Sequence, residues 1–332
     1  MDIKVTGNRL KNLLSYEWVK IIVSIVAGVV VWSLLFTTLA TRATVGEQFV
    51  FVIYENVSTL GSNSKNNEYL SELKKNNVLS YDVLDLSVSN IASAGQYTAG
   101  YMLSLRVTTQ EGDVMLISDG RAVKVEEGSD EDPTAEIQRA INNRYFYDFQ
   151  VFLDEARRYC VSNGFITENA SDYTVNEDVI SEYFLNERIK SAKNYRKTFR
   201  TEAQKREGVR LEIARIKAIY ENYLYVTQAI AKAKAENADF LWYGNLQFFD
   251  DNGKVIENRT EVHPFGIDLA KLNAPFTEDK PKVENRWYTY ANGKTTAEGL
   301  VMCVFNFNSH QYDLQFESLA FIRNVIETYS GY

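Results

Sequence analysis

From Ile21 to Thr41 the chain reads IIVSIVAGVVVWSLLFTTLAT, without one charged side chain. At about 1.5 Å of rise per residue, such a stretch wound as a helix reaches roughly 30 Å, the thickness of a bilayer's hydrocarbon core. A helix closes its backbone hydrogen bonds internally, as lipid requires. Residues 21–41 are therefore predicted to be a transmembrane helix, with a folded body tethered behind it. Lys4, Arg9, Lys11 and Lys20 precede the span, and Arg42 is the one basic residue between it and Lys65. That bias keeps residues 1–20 in the cytoplasm and sends the bulk to the extracytoplasmic side of the cell membrane. A cleaved signal peptide is the alternative, because Thr38-Leu39-Ala40 resembles a small-residue cleavage site. Against it, the apolar run exceeds the usual h-region of about 7–15 residues, and no lipid-accepting cysteine follows.

The 332-residue chain retains about 290 residues beyond the span, enough for one large domain or two lobes. A formal charge of −8 argues against nucleic acid as a partner. Cys160 and Cys303 are the only cysteines. In an exported body they form either one bridge or two buried thiols, and the second is expected.

Residues 42–132 alternate strand and helix. Gln48–Tyr54 is short, aromatic and β-branched, a buried strand. Glu68–Lys75 is predicted helical, Val78–Ser87 a second strand, and Tyr97–Thr109 a helix with Tyr101, Leu105 and Thr108 on one face. Val114–Ile117 is a third strand, closed by Ser118-Asp119-Gly120. This order is that of a parallel sheet with covering helices. Lys124–Pro133 is acidic and turn-rich, without the glycine and glutamate placement of a calcium loop.

EQFVFVIYENVS, a helix, a strand near Val83 and a helix feeding EGDVMLISDG resemble the first lobe of the type II extracellular (periplasmic) solute-binding proteins of ABC transporters. EVHPFGIDLAKL, GLVMCVFNFNS and a terminal helix are similar to the way such chains return and finish. The resemblance implies an α/β fold: two lobes joined at a hinge, with a ligand between them and a transporter or surface protein as partner. A helix replaces the lipidated cysteine usual in that family.

Residues 133–239 are predicted helical. Thr134 is placed to cap a helix carrying Ile137, Ala140 and Ile141, and a second helix runs to a stop at Asn163-Gly164. A long helical region covers about Asn176 to Ala235, with a break or kink expected at Gly208. Its seam is Ile216, Tyr220, Tyr223, Thr227 and Ile230. Between Arg188 and Lys217, eleven basic residues face only Glu202, Glu207 and Glu212. Such a face either binds anionic lipid or wall polymer, or is solvated and paired with the protein's own acids. Residues 240–332 return to strands: Leu241–Phe249, a turn at Asp251-Asn252-Gly253, Gly299–Phe307, and a terminal helix striped by Leu314, Leu319, Ile322 and Ile326.

Motifs for chemistry are sparse. With only His263 and His310, and no HExxH, no zinc or other metal site is expected, and no cofactor. Gly293-Lys294-Thr295 lacks the first glycine of a phosphate loop, and Ser71-Glu72-Leu73-Lys74 lacks the companions of a serine acylase. An enzyme is therefore not the expectation. Parallel sheets place ligands at the carboxyl ends of their strands, which singles out Tyr54, Asn56, Ser118, Asp119, Trp242 and Tyr243 as candidate ligand-binding residues. Two readings follow: a membrane-tethered binding module resembling a solute-binding protein, or a relative that has lost its ligand and acts as a scaffold or interaction protein at the cell surface.

Overall fold

The computed structural model describes residues 7–39, 43–44, 47–54, 57–59, 63–91, 96–121, 134–191, 193–250, 254–273, 287–291, 294–306 and 312–330. Asn56, the segment 124–133 and the turn 251–253 lie outside the described residues. The chain divides into two compact units, Met1–Arg42 and Ala43–Tyr332. The first contains α1 (Gly7–Leu39, 33 residues). Its stretch Trp18–Leu35 is long and apolar enough to span a membrane or to be a signal sequence, and none of it is buried within the protein.

The second unit is a mixed α/β fold built on β1 (Gln48–Ile53). Successive side chains of a strand point to opposite faces. Phe49, Phe51 and Ile53 enter one core, and Val50 and Val52 enter another. Burial on both faces is why this segment reads as an unbroken apolar run. After β2 (Val57–Thr59) and α2 (Asn63–Lys75), β3 (Asp85–Asn90) pairs parallel to β1 on one side. The chain then crosses through α3 (Gln96–Thr109) to β4 (Val114–Ser118), parallel to β1 on its other side. Because the two crossovers run in opposite directions, α2 and α3 cover opposite faces. Leu70 and Leu73 of α2 join the Phe49 face, and Ala99 and Leu103 of α3 join the Val50 face.

Next come α4 (Ala135–Asn142), α5 (Phe149–Ser162), the hairpin β5 (Ile166–Glu168) and β6 (Tyr173–Val175), and α6 (Glu177–Tyr183). A π-helical turn (Phe184–Arg188), α7 (Ile189–Ser191), α8 (Lys193–Thr198) and the 34-residue α9 (Glu202–Ala235) complete the helical section. The chain finishes with β7 (Leu241–Phe249), β8 (Val255–Asp268), α10 (Leu269–Leu272), β9 (Trp287–Ala291), β10 (Lys294–Thr296), β11 (Leu300–Val304) and α11 (Tyr312–Tyr329). The large sheet has six strands in the order β3-β1-β4-β11-β8-β7, the last three successively antiparallel; β10-β9-β2 form a small second sheet. The Phe49 core is closed by residues of α5, α9 and α11, among them Phe152, Ile216 and Phe321. Burying each such side chain stabilises by roughly 1.5–3 kcal/mol. Gly266 lets β8 close on β11, since a Cβ there would stand 2.3 Å from the Met302 carbonyl oxygen.

Several expectations change. β11 fills the free edge of β4, so strands from residues 42–132 and 240–332 share one mixed sheet within one compact unit. The second strand lies at 85–90, because Val78–Leu84 turns after Asn77 (φ 57°) and sends Ser80 and Asp82 into buried polar contacts. The face of α3 carrying Tyr101 and Leu105 is the exposed one. Thr134 sits at the N-cap of α4 without a side-chain capping bond. The long helical region breaks at Arg200-Thr201, where Thr201 and Gln204 form a capping box, rather than at Gly208. Gly208 instead admits the ring of Phe184, whose Cζ lies 2.3 Å from where a Cβ would be. Cys160 and Cys303 are both free and buried.

Candidate functional site

The order β3-β1-β4 creates a switch point, since the chain leaves β1 toward β3 and later arrives on β1's opposite side as β4. Open α/β sheets hold ligands outside the carboxyl ends of such strands. Tyr54 follows β1 and is buried; its backbone N donates to the Leu116 carbonyl (2.9 Å) and its hydroxyl donates to Glu136 Oε2 (3.1 Å). Ser118 Oγ accepts from the Gly120 N–H (3.1 Å). Buried Asp119 accepts from Trp242 Nε1 (2.8 Å) and from the Arg121 N–H (3.0 Å), and it pairs with the Arg121 guanidinium. The same guanidinium reaches Asp268 Oδ2 at 2.7 Å, at the end of β8, while Asp268 Oδ1 caps α10 through the N–H groups of Ala270 and Lys271. Burial opposes the charge on Arg121, but Asp268 and Asp119 outweigh it and raise the guanidinium pKa.

The structure thus brings Asp119 and Trp242 into contact, which their separation in sequence does not announce. Tyr243 turns away, exposed, with its hydroxyl on Asp239 Oδ2 (2.7 Å). The two adjacent aromatics do not act together, because successive side chains of a strand point to opposite faces. At this edge each named carboxylate is bound by the protein's own donors.

The other edge of the sheet holds a denser set of charges. Arg188, from the π-helical turn, donates to Asp82 Oδ2 at 2.7 Å. Arg215 of α9 holds Glu212 one turn before it through two contacts, 3.0 and 2.7 Å, and reaches the Tyr159 hydroxyl at 3.2 Å. Tyr81 donates to Glu212 Oε2 at 2.7 Å. Glu317 of α11 accepts the Ser80 N–H at 2.9 Å, and Ser80 Oγ stands between the carboxyls of Glu317 and Asp82. Asp82, Glu212 and Glu317 are three buried carboxyls beside two buried guanidinium groups.

Burial works against the charge of Glu212, yet Arg215 and Arg188 overcome it and hold its pKa below the ordinary value. Arg215, against the same burial, is raised by Glu212 and its neighbours. Among the described residues no ion pair reaches Glu317; burial first, then the nearby Asp82, pushes its pKa up to about 7. Ser80 Oγ has a single proton for two carboxyls, so a protonated Glu317 is what satisfies the trio. Asp113, which accepts the Val50 N–H at 2.7 Å, is likewise pushed up to about 7, chiefly by burial.

Beside this cluster opens a cleft of about 370 Å³ between the 77–81 segment, α9 and α11. Ser80, Tyr81, Arg215, Asn222 and Glu317 supply its polar wall; Leu79, Ala218, Ile219 and Phe316 supply its apolar one. The Asn222 amide and the mutually bonded Ser80 and Glu317 line this cleft above an apolar floor, the arrangement of a site for a small polar ligand. Sequence reasoning looked at the opposite edge and missed it. The available signal was Glu317 itself, the one ionisable residue in FESLAFI, a run whose neighbours all belong inside the protein.

The basic run divides between burial and the paired, solvated face expected of it. Arg188 and Arg215 are buried in the cluster, while Lys205, Arg210 and Lys217 pair with Glu202, Glu207 and Glu221.

Comparison with protein-family models, with curated proteins and with solved structures finds no match.

Proposed function

We propose that this chain is a single-pass membrane protein, amino terminus in the cytoplasm, whose α/β body is held outside and binds a small polar molecule in the cleft between α9 and α11. The observation that carries the binding reading is the protonatable Glu317 carboxyl in the wall of a cleft that also presents Ser80 and Asn222. Titratable groups displaced from their usual range and opening on a cavity are characteristic of functional sites. The resemblance to solute-binding proteins supports a binding role. The cleft lies at the amino edge of the six-stranded sheet, away from the carboxyl-edge residues singled out in the sequence.

The test is thermal melting of the full chain in detergent against pools of sugars, peptides and amino acids. Ligand that binds only the folded state raises the melting temperature. Ala218→Trp, which fills the cleft from an exposed helix position, should cancel the rise. A rise that survives Ala218→Trp puts the ligand elsewhere, and the absence of any rise favours a scaffold role. Protease added to intact cells should digest the body; digestion only after lysis overturns the proposed orientation.

A further inference from the structure

Ile189 to Thr201 reads IKSAKNYRKTFRT, five cations without an acid in a protein of net charge −8. The fold sorts these residues by side. Asn194, Tyr195 and Phe199 are buried: Tyr195 lies under the Arg188 guanidinium (4.9 Å), and Phe199 packs on Phe184 (5.2 Å) and Tyr81 (6.2 Å). Lys190, Lys193, Arg196 and Arg200 are left exposed and Lys197 half-buried. Among the described residues no ion pair joins any of the five to a carboxylate, unlike Lys205, Arg210 and Lys217 on α9. Glu187 before the run is exposed, and Glu202 after it is taken by Lys205. Among the described residues the charge of this segment is therefore not neutralised.

A second observation says where the segment is fastened. Asn194 Nδ2 donates to Glu47 Oε2 at 2.7 Å, and the same oxygen accepts the N–H and the hydroxyl of Thr44, each at 2.9 Å. Glu47 is buried and lies eight residues beyond Leu39, the last residue of α1. Chain of that length spans at most roughly 28 Å. The cationic segment is thus bonded to the part of the body that follows the apolar helix most closely in the chain.

We propose that residues 189–200 are a docking surface for anionic phospholipid headgroups of the membrane that holds α1. The inference rests on the membrane-anchored reading above. Each Lys or Arg held near an anionic membrane surface adds about 1 kcal/mol of attraction, and tethering turns that weak contact into an intramolecular one. A soluble wall polymer gives no reason for fixing the cations to the start of the body, so lipid is the partner the geometry favours.

The experiment places the full chain in nanodiscs of phosphatidylcholine alone, or of phosphatidylcholine mixed with phosphatidylglycerol. Acylation of Lys190, Lys193 and Lys197 is followed by mass spectrometry, with Lys217 as internal reference. A several-fold slower reaction on the anionic discs, reversed by salt and lost in R196Q/R200Q, is the expected result. The double variant keeps the reporting lysines and alters only exposed positions. Equal rates on both discs overturn the proposal, as does protection that appears only on adding a soluble anionic polymer. A chain that stays out of the discs overturns the anchor reading and this proposal with it; one that inserts without protection overturns only this proposal.

Discussion

The two edges of the six-stranded sheet solve the same problem, holding carboxylates out of water, in opposite ways. At the carboxyl edge Arg121 reaches in from a half-exposed position to Asp119 and Asp268, and an indole N–H and helix-capping amides complete their partners. At the amino edge Arg188 and Arg215 are wholly interior and pair with Asp82 and Glu212, leaving the third carboxyl, Glu317, dependent on Ser80. At both edges the protein's own donors hold the carboxylates, so satisfaction alone does not separate them. What the amino edge adds is a carboxyl that gains or loses a proton near neutrality, beside open volume. The comparison therefore points away from the switch point that fold rules single out.

The difference can be broken most severely at Arg215. Arg215→Met takes from buried Glu212 its closest cation while Asp82 keeps Arg188, and removing one partner of a buried pair costs about 3–5 kcal/mol. Urea unfolding of the variant should show a loss of that size; a loss under ~1 kcal/mol would mean that water reaches the cluster freely. The next effect is one of pH. Below about 4.5 Glu317 is protonated folded or unfolded, and between 4.5 and about 7 only the folded chain keeps the proton. Folding then takes up a proton, so stability falls as pH rises through this window and levels off above it. The fall assigned to Glu317 is about 3 kcal/mol. Glu317→Gln should flatten this part of the stability–pH curve, and Asp113→Asn should remove a second contribution of the same sign. A curve unchanged by both variants would place the two protons elsewhere.

These two results concern residues that the sequence presents misleadingly. Arg188 and Arg215 sit in a run of cations that reads as an exposed face, because charge pattern says nothing about burial; only the fold shows that Asp82 and Glu212 lie opposite. Val78–Leu84 alternates like a strand, yet its polar positions turn inward to Arg188 and Glu317. By contrast β1 and β4 are legible, since a strand buried on both faces has to be apolar throughout, as QFVFVI and VMLIS are. Gly164, with φ +71°, ends α5 where a residue free of Cβ strain is wanted. At the carboxyl edge Asp119 and Trp242 stand out one by one in the sequence, but not their contact. The cleft does not stand out, because it draws on segments more than 200 residues apart in sequence, from Ser80 to Glu317.

Smaller changes sharpen the contrast at the carboxyl edge. Arg121→Gln leaves Asp119 with Trp242 and Asp268 with its capping amides, so a cost of about 1–2 kcal/mol is expected, less than at Arg215 because the guanidinium is half exposed. Equal costs at the two arginines would erase the distinction between the edges. Trp242→Phe removes one donor to Asp119 while keeping most of the ring, for about 1 kcal/mol. Chemical denaturation reads both.

The most direct measurement is a crystallographic fragment soak of the full chain, scored by where small polar molecules settle. Density in the cleft against Ser80, Asn222 and Glu317, with none at Asp119 and Trp242, is the expected result. Fragments gathered at Asp119, Arg121 and Trp242 while the cleft stays empty would contradict it and return the site to the switch point.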